Sequence, residues 1–302
     1  MSVAIPVQTA CTMSILPRGL ESIEFGNHFR SFPIKNGDLP SGLRSLTFGA
    51  HFNHSLGNKA LPDGLEELTF GTFFDSSFIH DLPSSLRSLT FSEVFDFRMD
   101  TAVFPSGLQH MNFGSMFNQS LDNTILPSKL VTLKFGSSFN QSLEHATLPR
   151  GLQSITFGFD FNQNLDHTIL PSNLRSLTFG KDFNQSLDKV HLPNGLQSIT
   201  FGDDFKQNLD HTTLPSGLQS LTFGKDFNQS LNSVKLPSGL QSITFGDDFN
   251  QDLDHTMLPI GLQSLTFGKA FNQSLNKAYL PCGLKKLKFG FRYNQSIKRR
   301  RI

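Results

Sequence analysis

A proline returns along this chain at an almost constant interval, at positions 17, 40, 62, 83, 105, 127, 149, 171, 193, 215, 237, 259 and 281, and few folds are compatible with that recurrence. Successive intervals are 23, 22 and 21, then 22 throughout. Thirteen such copies point to a stack of short units and not to separate globular domains, because a unit this small has no core of its own. Counted from the Leu three places after each Pro, the unit reads Leu-x-Ser-Leu-Thr-Phe-Gly-x-x-Phe-Asn-Gln-Ser-Leu, five variable residues and a closing Pro-x-Gly. Leu holds position 1 in all thirteen units, from Leu20 to Leu284. Phe holds position 6 from Phe25 to Phe289, and position 10 from Phe29 to Phe271, with Tyr293 closing that file. Most of the 32 Phe fall in these two columns.

Within each unit, Leu-x-x-Leu-x-Phe resembles the strand segment of a leucine-rich repeat, with positions 4 and 6 pointing inward and 3 and 5 outward. About six residues per coil are expected in strand. Gly follows in twelve of thirteen units, Ser92 being the exception, and is expected to serve a turn that a Cβ resists. Pro-x-Gly-Leu then feeds the next strand, with Pro fixing φ where no ladder donor is wanted. The remaining residues form a return too short for a long helix. A lone coil is unstable: about six apolar side chains contribute roughly 1.5–3 kcal/mol each when buried, against about 1.5 kcal/mol of ordering cost per residue. Stacking joins the Leu and Phe columns into one core, and at about 4.7–4.9 Å per strand thirteen strands span on the order of 60 Å. The Asn of Phe-Asn-Gln-Ser is expected to bond backbone groups at the bend and to repeat as a ladder. It stands five residues after Phe, where leucine-rich repeats usually place an Asn three residues on, so a different turn geometry is expected.

A unit of this length carrying Leu-Pro-x-x-Leu, Leu-x-Phe-Gly and Phe-Asn-x-x-Leu resembles the FNIP repeat, a divergent relative of leucine-rich repeats, over residues 16 to 297. The name-giving Phe-Asn-Ile-Pro is mostly Phe-Asn-Gln-Ser here, as at Phe183 to Ser186, and only Phe29-Arg-Ser-Phe-Pro33 approaches the proline form. Such repeats occur in social amoebae and giant viruses, sometimes beside F-box or kinase domains, which implies interaction and not chemistry. The fifteen residues before the first unit are expected to be too few for an F-box or a catalytic domain.

The formal net charge of +1, from 26 Lys+Arg against 25 Asp+Glu, supplies no global attraction to nucleic acid or acidic membranes. Met1 to Ile15 carry no basic stretch and make a poor signal peptide, and no apolar run approaches the roughly 18 residues a membrane span requires. With only Cys11 and Cys282, a disulfide framework is not expected. Asn-x-Ser recurs at Asn53, Asn118, Asn140, Asn184, Asn228, Asn272 and Asn294, in one column expected to be partly buried and a poor place for glycans. An intracellular, cytoplasmic protein is the expectation, with nuclear entry through Lys298-Arg299-Arg300-Arg301 as a variant.

Candidate chemistry is sparse. His145, His167, His211 and His255 each follow an acidic residue, but His167, His211 and His255 are two coils apart, about 10 Å, too far to share a zinc ion. Asp203-Asp204 and Asp247-Asp248 alternate with Lys181-Asp182 and Lys225-Asp226, which reads as a surface charge ladder worth little per pair. No phosphate loop, nucleophile elbow or metal-ligand spacing is present, so no catalytic residue, cofactor or metal is expected. Ser at position 3 and Thr at position 5, as in Ser154/Thr156 through Ser264/Thr266, form two hydroxyl files like those of ice-binding solenoids. Exposed irregularity concentrates in the early units, at His51, Glu67, Phe73, Glu93, Phe97, Arg98 and His110, and these are the expected partner-binding residues. Lys285, Lys286, Lys288 and Arg292 replace Ser and Thr around the last strand, where charge caps an edge against further stacking.

The expected fold is a β-rich, curved, right-handed solenoid of leucine-rich-repeat type with one long parallel sheet and little helix. It comprises an N-terminal cap or tail (1–15), thirteen repeats (16–297) and a basic tail (298–302). The expected function is a monomeric, non-enzymatic protein-interaction scaffold or adaptor for an unidentified protein partner. The alternative is a structural or surface-adsorbing, ice-binding-like solenoid that uses the Ser-x-Thr files.

Overall fold

Burial of a Leu and Phe set that recurs in every coil organises the chain, which is seen in a computed structural model that describes residues 3–5, 16–30, 33–75 and 81–296. Two compact units are present, one of residues 1–141 with 145–152 and the other of residues 142–144 with 153–302. Unit 1 carries β1 (Val3–Ile5), β2 (Ser22–Phe25), β3 (Ser45–Thr47), β4 (Glu67–Thr69), β5 (Ser88–Thr90), β6 (His110–Asn112) and β7 (Thr132–Lys134). Unit 2 carries β8 (Ser154–Thr156), β9 (Ser176–Thr178), β10 (Ser198–Thr200), β11 (Ser220–Thr222), β12 (Ser242–Thr244), β13 (Ser264–Thr266) and β14 (Lys286–Lys288). In each unit successive strands pair in parallel with no slip between repeats: Ser198 faces Ser220, Ile199 faces Leu221 and Thr200 faces Thr222. No helix occurs among the described residues, so the fold is the leucine-rich-repeat type of β-solenoid.

One coil shows the core logic. Leu196, Ile199, Phe201, Phe205 and Leu209 sit at positions 1, 4, 6, 10 and 14 and are all at most 3% exposed. Ser198 and Thr200 between them are half-exposed on the outer face, as the two-residue alternation of a strand requires. The rings of Phe201 and Phe205 stack 3.9 Å apart. Each also stacks on its counterpart in the next coil, at 5.6 Å for Phe201–Phe223 and 6.0 Å for Phe205–Phe227. Aromatic pairs add roughly 0.5–1.5 kcal/mol beyond area burial, so this coil is tied to the next by two such contacts.

The strands are shorter than the six residues expected, usually three. Hydrogen bonding continues past them, but not as a regular ladder. At the start of β3, Arg44 and Ser45 both donate their N–H to Glu21 C=O, at 2.8 and 3.0 Å, and at its end Phe48 N–H donates to Thr69 C=O at 2.9 Å. Two donors converging on one carbonyl mark a bend at position 2, so the regular strand begins at position 3.

The strand-following glycine serves a different purpose from the one expected. Its φ is ordinary, since the positive-φ glycine among the described residues is Gly37. What forbids a side chain is close approach: a Cβ at Gly49 would collide with the carbonyl of Gly26, and a Cβ at Gly202 with that of Gly180. The exception, Ser92, follows the one shortened step, from Phe70 to Phe91. Its buried hydroxyl donates to Phe74 C=O at 2.5 Å.

The expected Asn ladder is present. Asn118 Oδ1 accepts the backbone N–H of Asn140 at 2.9 Å and the Gln141 side-chain amide at 3.0 Å. Asn184 Oδ1 likewise accepts the N–H of Lys206 at 2.9 Å and the amide of Gln207 at 3.1 Å. Each Asn thus satisfies a backbone donor one coil ahead. Within the N-terminal cap or tail, β1 pairs with β2, Val3 facing Ile23, and adds a strand to that edge.

On the return, a buried position alternates between Thr (124, 168, 212 and 256) and Ala or Val (146, 190, 234 and 278). Thr212 Oγ1 donates to Asp188 Oδ1 at 2.8 Å and Thr256 Oγ1 to Asn232 Oδ1 at 2.6 Å. The hydroxyls of Thr124 and Thr168 are buried without a partner. A buried unpaired polar group costs about 1–3 kcal/mol, so Thr168→Val raises the urea midpoint, whereas Thr212→Val lowers stability by about 1 kcal/mol. In the same assay Gly202→Ala costs at least about 1–3 kcal/mol, because backbone must move. Gly195→Ala is nearly neutral, since a Cβ there stands 3.6 Å from the nearest atom, Ser172 O.

Candidate interaction surfaces

The outer face of unit 2 is a regular lattice. Ser176, Ser198, Ser220, Ser242 and Ser264 form one file, and Thr178, Thr200, Thr222, Thr244 and Thr266 the other, all half-exposed and in register. Ser198 donates its hydroxyl to Ser176 at 3.1 Å, so part of this array bonds to itself. The same face of unit 1 is irregular, with Glu67, His110, Asn112 and Lys134 at equivalent places.

The seven early residues singled out from sequence do not form one patch. Glu67 and His110 lie on the sheet face, His51, Phe73 and Glu93 on the rim after the strands, and Phe97 and Arg98 on the return. Several have partners within the chain. Glu67 accepts the Ser45 hydroxyl at 3.2 Å, Glu93 accepts the Ser115 N–H at 3.0 Å and Arg98 pairs with Asp100 at 2.8 Å. His110 Nδ1 lies 2.9 Å from the Thr132 hydroxyl. Phe97 is half-buried and sets its edge against Phe95 at 5.5 Å.

The fold does assemble a stack on the rim. His28, His51 and Phe73 occupy position 9 of consecutive coils, with ring centroids 5.7 and 5.1 Å apart and planes within 18°. Phe73 is 46% exposed, and Met116, further along the column, is 56% exposed. Sequence reasoning missed His28, although its place in the column marks it: it stands four residues after Glu24, as His51 stands four after Thr47.

In the first five coils of unit 2 position 9 is instead acidic, Asp160, Asp182, Asp204, Asp226 and Asp248, before Ala270 and Arg292. The lysines named from sequence pair within their own coil, Lys181 with Asp182 at 3.9 Å and Lys225 with Asp226 at 3.8 Å, and a pairing between coils occurs at Lys269–Asp247, 2.6 Å. A further cation that sequence reasoning passed over, Lys206, pairs with Asp226 at 3.0 Å. It stands where most other coils have the ladder Asn. Hydrogen bonds from Lys206 and Lys269 hold the Asp226 and Asp247 carboxyls below the usual carboxylate range and raise the two ammonium groups. A depressed carboxyl stabilises above its unfolded pKa and loses that contribution as pH falls through its folded pKa. NMR titration is expected to find both carboxyls below the exposed Asp residues, with the difference shrinking in high salt.

The return side of unit 2 holds a recess of about 650 Å³ bordered by Asp188, His191, Asn194 and Thr213. His145, His167, His211 and His255 are all exposed, and no group of three or more metal-ligating side chains comes together among the described residues. Lys285, Lys286, Lys288 and Arg292 are exposed around β14, whereas Lys298–Arg301 lie outside the described residues. No helix among the described residues is long and apolar enough to cross a membrane.

Comparison with known proteins agrees with this geometry. The FNIP Repeat model matches residues 31–73, 99–138, 139–182, 183–226, 227–270 and 271–301. The stretch it leaves between 73 and 99 contains Ser92, next to the shortened step. The giant-virus protein CroV588, whose crystal structure is described as a novel circular LRR protein, is 38% identical with a TM-score of 0.82, over 94% of this chain and 45% of its own. This chain thus spans less than half the length of that relative. YopM from Yersinia enterocolitica WA-314 is 17% identical with a TM-score of 0.47, over 89% of this chain and 68% of its own. A search of curated proteins returns no match. On its repeat, its register and these matches, the chain belongs to the FNIP repeat family of leucine-rich-repeat solenoids.

Proposed function

We propose that this chain is a non-enzymatic protein-interaction scaffold, an adaptor whose partner contacts the irregular surface of unit 1. The observation that carries this reading is the His28–His51–Phe73 stack, exposed at His28 and Phe73 and half-exposed at His51. Binding energy concentrates in a few anchors, aromatic ones prominent among them, and uniform small hydroxyls supply none. Glu93, on the same rim, adds a polar contact already held in place by its own hydrogen bond to Ser115. Preorganisation of that kind lowers the ordering cost of binding. The partner is an unidentified protein. A chain of 302 residues with only two cysteines supports a reducing intracellular site.

Affinity capture from the source cell with His51→Ala/Phe73→Ser tests the reading, with Ser220→Ala/Thr222→Ala as the control. The expected outcome is that specific partners bind the rim variant at least about tenfold more weakly and the control normally. An unchanged set of partners with the rim variant would overturn it.

A second reading draws on the in-register Ser and Thr files of unit 2, which offer hydroxyls at about 4.8 Å intervals across the strands. That lattice supports adsorption to an ordered surface such as ice. Measurable thermal hysteresis, lost in Thr200→Leu/Thr222→Leu and unaffected by the rim substitutions, would favour it over the adaptor.

A further inference from the structure

The last coil differs from those before it in burial and charge. Leu262, Leu265, Phe267 and Phe271 are at most 2% exposed, whereas their successors Leu284, Leu287, Phe289 and Tyr293 are only half-buried. Beside them Phe291 is 89% and Tyr279 70% exposed. The residue between Pro and Gly of the repeat is polar from Arg18 to Ser238 and then becomes Ile260 and Cys282. One edge of β14 pairs with β13, and no strand among the described residues pairs with the other.

Charge is segregated to match. Residues 271–302 contain nine Lys and Arg and no acid, a net +9, whereas residues 1–270 contain seventeen Lys and Arg against twenty-five Asp and Glu, a net −8; together they give the chain's +1. The opposition extends to register. Lys285 and Lys288 occupy positions 2 and 5 of the last coil, and Glu21 and Glu24 occupy positions 2 and 5 of the first, all four exposed. Position 2 already pairs charges from coil to coil within unit 1, where Arg44 meets Glu66 at 2.5 Å and Arg87 meets it at 3.9 Å. In unit 2 the Lys285 ammonium donates to Gln263 Oε1 at 3.2 Å, also between positions 2.

We propose that the C-terminal coil, Leu284–Tyr293, is a self-association face that docks head to tail on the N-terminal edge, β1 and β2, of a second copy of this chain. In the repeat's register β14 joins the edge of β1 that no described strand pairs with, and the half-open Leu and Phe files of the last coil continue into the next molecule. Lys285 and Lys288 then stand two strand spacings, about 10 Å, from Glu21 and Glu24. Extended Lys and Glu side chains together span that gap. Lysines on an edge strand repel another such edge, so tail-to-tail pairing is disfavoured. The same charges select the acidic end, which makes the contact heterologous. It departs from the monomer expected from sequence and is independent of the partner assigned to the rim of unit 1.

Sedimentation velocity over a concentration series tests it. The intact chain is expected to associate reversibly, more weakly as salt is raised. Lys285→Glu/Lys286→Glu/Lys288→Glu in one preparation, and Glu21→Lys/Glu24→Lys in another, are each expected to weaken self-association by at least about tenfold. Mixing the two preparations restores it, because each reversed end then meets an opposite charge. Thermal unfolding of each variant checks that it folds, and Lys288→Glu with Glu24→Lys supplies a lighter exchange if the heavier one does not. A chain that stays monomeric throughout, variants that associate like the intact chain, or a mixture that fails to recover would each overturn the proposal. Loss of partner capture in the rim variant would leave it untouched.

Discussion

Close approach of one coil to the next underlies every other feature of this molecule. An inner coil such as Leu196–Leu209 buries five large apolar side chains because its neighbours cover them: its Phe rings stack on those of the next coil at 5.6 Å in one column and 6.0 Å in the other. The same approach excludes a Cβ from the strand-following position, where Gly49 and Gly202 lie against the preceding carbonyl. Phe columns and glycine file are thus two consequences of one spacing. Where the spacing is disturbed, at the shortened step between Phe70 and Phe91, a Ser is accommodated and its hydroxyl is consumed by a backbone acceptor.

A solenoid built this way separates structure from surface. Positions 1, 4, 6, 7, 10 and 11 are committed to the stack, and positions 2, 3, 5, 8 and 9 are free to vary. Unit 2 uses that freedom little, repeating Ser, Thr and Asp from coil to coil. Unit 1 uses it more, and the rim carries an aromatic stack in place of carboxylates. Carboxylates stacked along one column repel one another, and Lys206 and Lys269 offset part of that repulsion. Aromatic rings in the same column attract, so the same register has opposite consequences for different side chains.

Much of the fold is legible in the residues. The interval between prolines reveals the coil, the Leu and Phe files reveal the core, and Phe-Asn-Gln reveals the amide ladder, because each is a contact between a residue and its own copy. Less is legible where the contact joins unlike residues. The strand-following Gly reads as a turn residue, since sequence shows that a side chain is absent and not which atom excludes it. Alternation overstates strand length because it starts at position 1, whose N–H closes a turn on the Pro before it, and runs through position 2, whose N–H shares a carbonyl with position 3. The early surface residues share only their irregularity, and the fold distributes them over three faces.

The order of residues alone specifies the unit, its register, its buried columns and the membership that follows from them. A constant period allows equivalent positions only one way to meet, and that meeting is repeated until it dominates the energy. What the singular residues do is settled in three dimensions. There β1 lies on the edge of β2, the hydroxyls of Thr124 and Thr168 stay unpaired while those of Thr212 and Thr256 find acceptors, and His28 stacks with His51 and Phe73. Such contacts occur once or twice, so no periodicity announces them, and they depend on side-chain reach across a coil boundary that only coordinates reveal.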